Sequence, residues 1–339
     1  MKPPVCRWSA VAVVAGLAVF AGGPTAAALG WQRVSTYPGP APYVLHVAAG
    51  DLDGDGADEL VLVGRDYERQ EDRLHVWGCR QPSPGSTSPC PLEPRVLGPT
   101  SKGPLGHVAL AVADLLGAGR AQVLVAMDSR VELWSLHPGG SLGLVWQGEY
   151  GTSVEQLAPL RLPGIRGAVA MAAVRTRPRW EKRLEVAGWT GSGFTKLWDG
   201  VPVGPMRSLA AADLVGDGQS ELVMDVGSGN DAGQAQVWRW DGQAFVRAGA
   251  QRLRDAPVFA LAAAAVGGPG AAQLVLVADD RGRVSLYRWG SQGFVRVGDG
   301  ETLGWSLVSA AVGDFDGDGT PEAVVVEYPN LVHMLGWRP

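Results

Sequence analysis

The nine residues Asp51-Leu52-Asp53-Gly54-Asp55-Gly56-Ala57-Asp58-Glu59 return near the other end of the chain as Asp314-Phe315-Asp316-Gly317-Asp318-Gly319-Thr320-Pro321-Glu322. Each copy runs into a short apolar stretch, Leu60 to Val63 and Ala323 to Val326. An acidic loop that feeds a strand twice suits a chain built from repeats of one small unit. Oxygen ligands at alternate loop positions, with a glycine allowing the sharp turn after the third, suit a hard cation such as calcium better than zinc or copper.

Weaker copies lie between the two. Val108 to Asp114 leads through a loop to Val123–Ala126 and Val131–Trp134, with the acidic pattern largely erased. Leu209 to Asp213, the loop to Glu221, Leu222–Met224 and Ala235–Trp240 form a clearer copy; Phe259 to Val266, Leu274–Val277 and Val284–Trp289 form another. A divergent unit aligns through Leu157–Leu160 and Ala168–Val174. Placing the first loop position of each unit at Asp51, Asp114, Pro159, Asp213, Ala265 and Asp314 gives intervals of 63, 45, 54, 52 and 49 residues. Such lengths fit small antiparallel sheets and leave no room for long crossover helices. The phrases Trp189-Thr190-Gly191-Ser192-Gly193-Phe194, Trp240-Asp241-Gly242-Gln243-Ala244-Phe245 and Trp289-Gly290-Ser291-Gln292-Gly293-Phe294 supply recurring hairpins. The last unit lacks the outer strand that follows these hairpins elsewhere, and Trp31 to Ser35, stranded before the first unit, can provide it. The expected fold is therefore all-β, a six-bladed β-propeller whose N-terminal strand completes the last blade and removes a sheet edge. Seven blades or an open curved array are the alternatives.

The pattern Asp-hydrophobic-Asp-Gly-Asp-Gly-x-x-Glu-hydrophobic resembles the FG-GAP or VCBS-like repeats of integrin-alpha-type β-propellers. The resemblance spans roughly Trp31 to Trp337, strongly at the loops of Asp51 and Asp314 and partially at Asp213. Members include extracellular adhesion and binding proteins, lectin-like proteins and some enzymes, so the likeness speaks for fold far more than for function.

In the first loop Asp51, Asp53, Asp55 and Glu59 can direct carboxylates to a cation, and Ala57 its backbone carbonyl. The resemblance implies the corresponding set Asp314, Asp316, Asp318, Glu322 and the Thr320 carbonyl in the last loop. These are the two expected Ca2+ sites. A third, weaker one is expected at Asp213, Asp217 and Glu221, where Val215 replaces a carboxylate and water completes the shell. Asp114 is followed by Leu116, Ala118 and Gln122, so no site is expected there.

Lys2 and Arg7 precede an apolar run from Ser9 through Ala21, and Ala26 and Ala28 stand before Leu29. The arrangement predicts a signal peptide over residues 1–28 and a domain over 29–339, against a retained anchor for which the run is short. Export would allow Cys79 and Cys90 to close the intervening Pro- and Ser-rich excursion as a disulfide. A net charge of -5 gives no general basic footprint for nucleic acid. The main basic concentration, Arg161 to Arg183, reads either as an exposed connector or as a patch facing an anionic polymer or a membrane.

The expected role is a secreted, periplasmic or extracellular binding or adhesion module. It would recognise a protein or glycan, need no membrane association and use no catalytic residue. A calcium-dependent polysaccharide lyase or hydrolase, and a lectin using strand tryptophans such as Trp77 and Trp289, are the competing functions. Of the five histidines, His46, His75, His107, His137 and His333, none lies in a recognisable catalytic pattern.

Overall fold

The computed structural model describes residues 30–79, 91–102, 106–163, 165, 169–176, 181–204, 206–226, 232–264 and 273–338. The expected leader and Cys90 lie outside them, and so does the expected bond from Cys79. Every regular element among the described residues is a β-strand.

The strands form six four-stranded antiparallel sheets arranged as a β-propeller. The first contains β2 (Tyr43–Gly50), β3 (Glu59–Asp66), β4 (Glu71–Cys79) and β5 (Leu92–Lys102). The second contains β6 (Val108–Ala113), β7 (Gln122–Met127), β8 (Arg130–Leu136) and β9 (Leu142–Glu149), and the third β10 (Ser153–Leu160), β11 (Val169–Thr176), β12 (Glu181–Trp189) and β13 (Phe194–Pro202). The fourth contains β14 (Ser208–Ala212), β15 (Glu221–Asp225), β16 (Gln234–Trp240) and β17 (Phe245–Arg252), and the fifth β18 (Val258–Ala264), β19 (Leu274–Asp279), β20 (Val284–Gly290) and β21 (Gly293–Asp299). The last is built from β22 (Leu307–Gly313), β23 (Glu322–Glu327), β24 (Leu331–Arg338) and, from the far end of the chain, β1 (Gly30–Pro38).

Side chains alternate across a strand, and here both faces are buried. In β3, Leu60 and Leu62 pack toward the sixth sheet while Val61 and Val63 pack toward the second. The same division gives six apolar clusters, one between each pair of neighbouring sheets, with that of Trp31, Leu286 and Leu335 joining the fifth to the sixth. The first strands, β2, β6, β10, β14, β18 and β22, are mutual neighbours in a circle and line a central cavity of about 180 Å³. Small residues such as Ala48, Ala111, Ala158, Ala210, Ala262 and Ala311 let these strands converge there.

The structure moves one repeat boundary. Pro159, taken as the start of the third loop, lies within β10 opposite Ala170. The carbonyl of Arg161 accepts the Ser220 N–H at 2.9 Å, just as the Asp51 carbonyl accepts the Ala121 N–H at 2.7 Å in the first loop. The third loop therefore starts at Arg161, with a cationic residue where the first has an aspartate. Two outer strands, β5 and β9, had no assignment from sequence.

Ring closure rests on β1, paired with β24 from Gly30 opposite Arg338 to Pro38 opposite Leu331. Thr36 Oγ1 lies 3.0 Å from His333 Nδ1, and His333 Nε2 lies 2.8 Å from Glu327 Oε2, tying β1 to β24 and β23. Trp31, 1% exposed, is the largest side chain that β1 contributes to the core. Trp31→Ala should lower stability by about 3–5 kcal/mol, read as a shift of the urea midpoint; a loss under about 1 kcal/mol would show that β1 is not needed to seal the ring.

Candidate functional site: the acidic loops

Each acidic loop connects the first and second strands of a sheet and folds around its own carboxylates. Asp51 Oδ1 accepts the Gly54 N–H at 2.6 Å and Oδ2 the Gly56 N–H at 3.0 Å. Asp53 Oδ1 accepts from Asp55 at 3.1 Å and Asp55 Oδ1 from Ala57 at 2.9 Å. Gly54 and Gly56 stand at φ 84° and 94°, a region that side chains rarely adopt, which explains the doubled glycine. Glu59, 1% exposed, turns back to accept the Leu52 N–H at 2.9 Å.

The last loop repeats this wiring. Asp314 Oδ2 accepts from Gly319 at 2.8 Å, Asp318 Oδ1 from Thr320 at 2.7 Å, and Glu322 Oε2 from Phe315 at 3.0 Å. In the Asp213 loop Asp213 Oδ2 accepts from Gly218 at 2.8 Å, Asp217 Oδ1 from Gln219 at 3.0 Å, and Glu221 Oε2 from Leu214 at 2.9 Å. In the second sheet Asp114 accepts from Ala118 and Gly119, while Gln122 Oε1 accepts from Leu115 at 2.9 Å. A neutral amide thus fills the backbone role of the glutamate. The charge belongs to something other than the turn.

Of the expected ligands, carboxylate oxygens of Asp51, Asp53 and Glu59 lie within 4.8 Å of one another, as do those of Asp314, Asp316 and Glu322. Asp55 and Asp318 stand outside these groups, and Asp213, Asp217 and Glu221 do not form one among the described residues. An all-oxygen set of this kind fits calcium. Burial pushes Glu322 up to about 8, with Asp316, Asp318 and Asp314 adding repulsion against the Phe315 N–H that favours its charge. Burial likewise raises Glu59 to about 7, partly offset by the Leu52 N–H and Arg95. Glu221 is raised chiefly by burial, and its Oε1 has no hydrogen-bond partner. Burial thus opposes the charged form of each glutamate, and a cation beside it would restore that form.

The loops of the first and sixth sheets touch. Asp58 N–H donates to the Asp314 carbonyl at 2.7 Å, and Asp58 Oδ2 accepts the Asp314 N–H at 2.9 Å. Burial raises Asp58 to about 6, against the stabilising Asp314 N–H.

Residues 270–325 match the FG-GAP-like repeat family. That stretch ends in β23 and includes the whole Asp314 loop. Among curated proteins none matches the chain. Two solved structures of BBS1N in complex with ARL6DN, one soaked with mercury and one with lead, share the fold. The first is 12% identical with a TM-score of 0.55 over 91% of this chain and 97% of that one; the second is 12% identical with a TM-score of 0.53 over 90% and 96%.

Beside the acidic loops, the other candidates have structural surroundings. Trp77 is buried, Trp146 meets Trp189 and Phe194 across the second and third sheets, and Trp198 meets Phe245 across the third and fourth. Lys182 pairs with Glu155 at 2.7 Å and Arg183 donates to the Asp199 carbonyl at 2.8 Å. Arg166, Arg177 and Arg179 lie outside the described residues. His46 lines the central cavity, and burial lowers it to about 4, with Arg65 adding to the effect. His75, 6% exposed, is lowered to about 4 by burial and then Arg73.

Glu322→Gln copies the solution found at Gln122. It should keep the Phe315 bond and raise the stability of the metal-free protein at pH 7.5 by roughly 1–3 kcal/mol, read by thermal melting. An unchanged melting temperature would contradict the cost assigned to burying that carboxylate. His75 has the opposite relation to acid. Its folded pKa lies below its unfolded value, so stability is full above about 6.5 and declines as pH falls toward 4, by about 2 kcal/mol at pH 5. Replacing it with Asn should flatten the fall in urea midpoint between pH 7.5 and pH 5 by that amount.

Proposed function

We propose that the protein is an exported, calcium-binding, six-bladed propeller that acts as a non-catalytic binding or adhesion module. The fold itself supports a binding module: the FG-GAP-like repeat sits in a propeller, and propellers serve as protein-docking scaffolds. Counting each four-stranded sheet as a blade gives the six. Calcium would be held by Asp51, Asp53 and Glu59 and by Asp314, Asp316 and Glu322, with Asp55, Asp318 and the carbonyls of Ala57 and Thr320 completing the shells. The ion supplies charge neutralisation and rigidity there, and a carboxylate engaged in that way is not a free acid or base. Residues 1–28 would direct export, after which Cys79 and Cys90 could pair.

The observation that carries the binding role is an aromatic surface at the end of the ring opposite the acidic loops. Tyr43 begins β2, whose other end leads to Asp51. Its ring meets Tyr67 in the β3–β4 turn at 4.8 Å and Tyr328 in the β23–β24 turn at 5.7 Å between centroids. Tyr67 and Tyr328 are 51% and 53% exposed, and Trp305, which precedes β22 on the same side, is 79% exposed. Aromatic rings with polar edges offer large contact area at low entropic cost to a protein loop or the apolar face of a sugar. The BBS1N structure, similar in fold, is a complex with a protein, ARL6DN, which favours a protein partner.

The full protein should capture extracellular proteins or glycans in a binding screen run with and without calcium, with no shortening of any bound polysaccharide. The double variant Trp305→Ala, Tyr328→Ala should keep its melting temperature and lose at least tenfold in affinity for the captured partner. Undiminished binding by the variant would place recognition elsewhere, and turnover of a captured glycan would replace the binding role with an enzymatic one.

A further inference from the structure

The three FG-GAP-like loops that keep a buried glutamate are not neutralised alike. In the first sheet Arg95, on β5, reaches into the loop: its Nη1 lies 2.7 Å from Glu59 Oε1 and 3.3 Å from Asp53 Oδ2. Both are members of the close carboxylate group. Its path crosses Gly78, where a Cβ would fall 2.0 Å from the Arg95 Nε, so the glycine is what lets the guanidinium through. In the fourth sheet the cation comes from β16. Arg239 ion-pairs with Asp217 and stands 3.6 Å from Glu221 Oε1.

Strand register shows that these are two routes to one place. Trp77, Trp238 and Leu335 sit opposite Leu60, Leu222 and Ala323, the residues that follow the three loop glutamates. Gly78, Arg239 and Gly336 come next in line. In the sixth sheet the position of Arg239 is thus a glycine. The residue lying over that glycine, where Arg95 lies in the first sheet, is Val34: a Cβ on Gly336 would meet Val34 Cγ1 at 3.1 Å. Among the described residues no basic side chain pairs with Asp314, Asp316, Asp318 or Glu322. The carboxylates of Asp316, Asp318 and Asp314 act against the charge of Glu322.

We infer that Arg95 and Arg239 are built-in counter-cations that occupy the electrostatic role of the metal in the first and fourth loops, leaving the Asp314 loop as the one that requires an external divalent cation. The inference rests on the calcium-binding role proposed above for these loops and restricts it. A calcium ion entering the first loop must break both contacts of Arg95 and then lie beside a displaced positive charge. The Asp314 loop presents no such competitor, so the two loops with the same sequence pattern should differ in affinity by on the order of tenfold or more.

Calcium titration of the stripped full chain by calorimetry should give one tight equivalent, lost in Asp316→Asn. Arg95→Leu should add a second equivalent, lower the melting temperature in chelator more than in calcium, and regain most of the loss when calcium is restored; Arg239→Leu should melt lower in chelator. Two equal tight equivalents in the unaltered protein, or a single one that survives Asp316→Asn, would overturn the inference, and so would an Arg95→Leu protein that still binds one ion. Absence of any calcium binding by the unaltered chain would defeat the underlying metal role instead. The counter-cation role is then judged by the chelator melts alone: lower melting temperatures for both arginine variants sustain it, and unchanged ones refute it.

Discussion

Every sheet in this molecule has two buried faces, and that single condition governs the rest. Leu60 and Val61 are neighbours in sequence yet belong to different apolar clusters, one shared with the sixth sheet and one with the second. No sheet can therefore be stable without both neighbours, and a row of such sheets has unsatisfied faces at its ends until it bends into a ring. Each fully buried Leu or Val contributes about 1.5–3 kcal/mol relative to exposure, so closure outweighs any single polar contact. Strand β1, brought from the other end of the chain with Trp31, is the piece that meets the condition for the last sheet.

The acidic loops are secondary to this frame. Gln122 accepts the same backbone N–H groups in the second sheet that Glu59, Glu221 and Glu322 accept in theirs, so the turn needs an oxygen there and not a charge. A buried negative charge that the turn does not need is a cost unless a cation offsets it. That explains why an amide appears in one loop, a guanidinium reaches two others, and the remaining loop keeps the most strongly raised glutamate.

Strand phrases and loop spacing were legible because period-two apolar runs and Asp-Gly turns are local signals. So was the need for β1, since the last repeat lacked a strand and the first had one to spare. What escaped was non-local or locally atypical. Pro159 looked like a loop residue, but its ladder partner Ala170 places it in β10 and makes Arg161 the loop's first residue. Strand β5 begins Leu-Glu-Pro-Arg after a Pro- and Ser-rich excursion, with no strong alternation to mark it. Arg95 could not be connected with Glu59 from sequence, because the contact depends on β5 pairing with β4 and on the missing side chain at Gly78. The two acidic loops therefore looked equivalent until the strands beside them were placed.

The seam between the first and sixth sheets runs from the acidic loops at one end of the ring to the aromatic surface at the other. At one end Asp58 and Asp314 exchange backbone and carboxylate bonds beside the Asp314 carboxylates. Along its length Ser309 Oγ accepts the Val47 N–H at 3.0 Å, and Val44 donates to the Pro329 carbonyl at 2.9 Å. At the other end Tyr43 of the first sheet meets Tyr328 of the sixth. A cation drawn to Asp314 would quiet repulsion at one end of this seam, and the aromatic surface at the other end exists only while the seam is shut. Calcium and recognition would thus be linked through the stability of one sheet-to-sheet contact, with no need for a change in the shape of any loop that a partner touches.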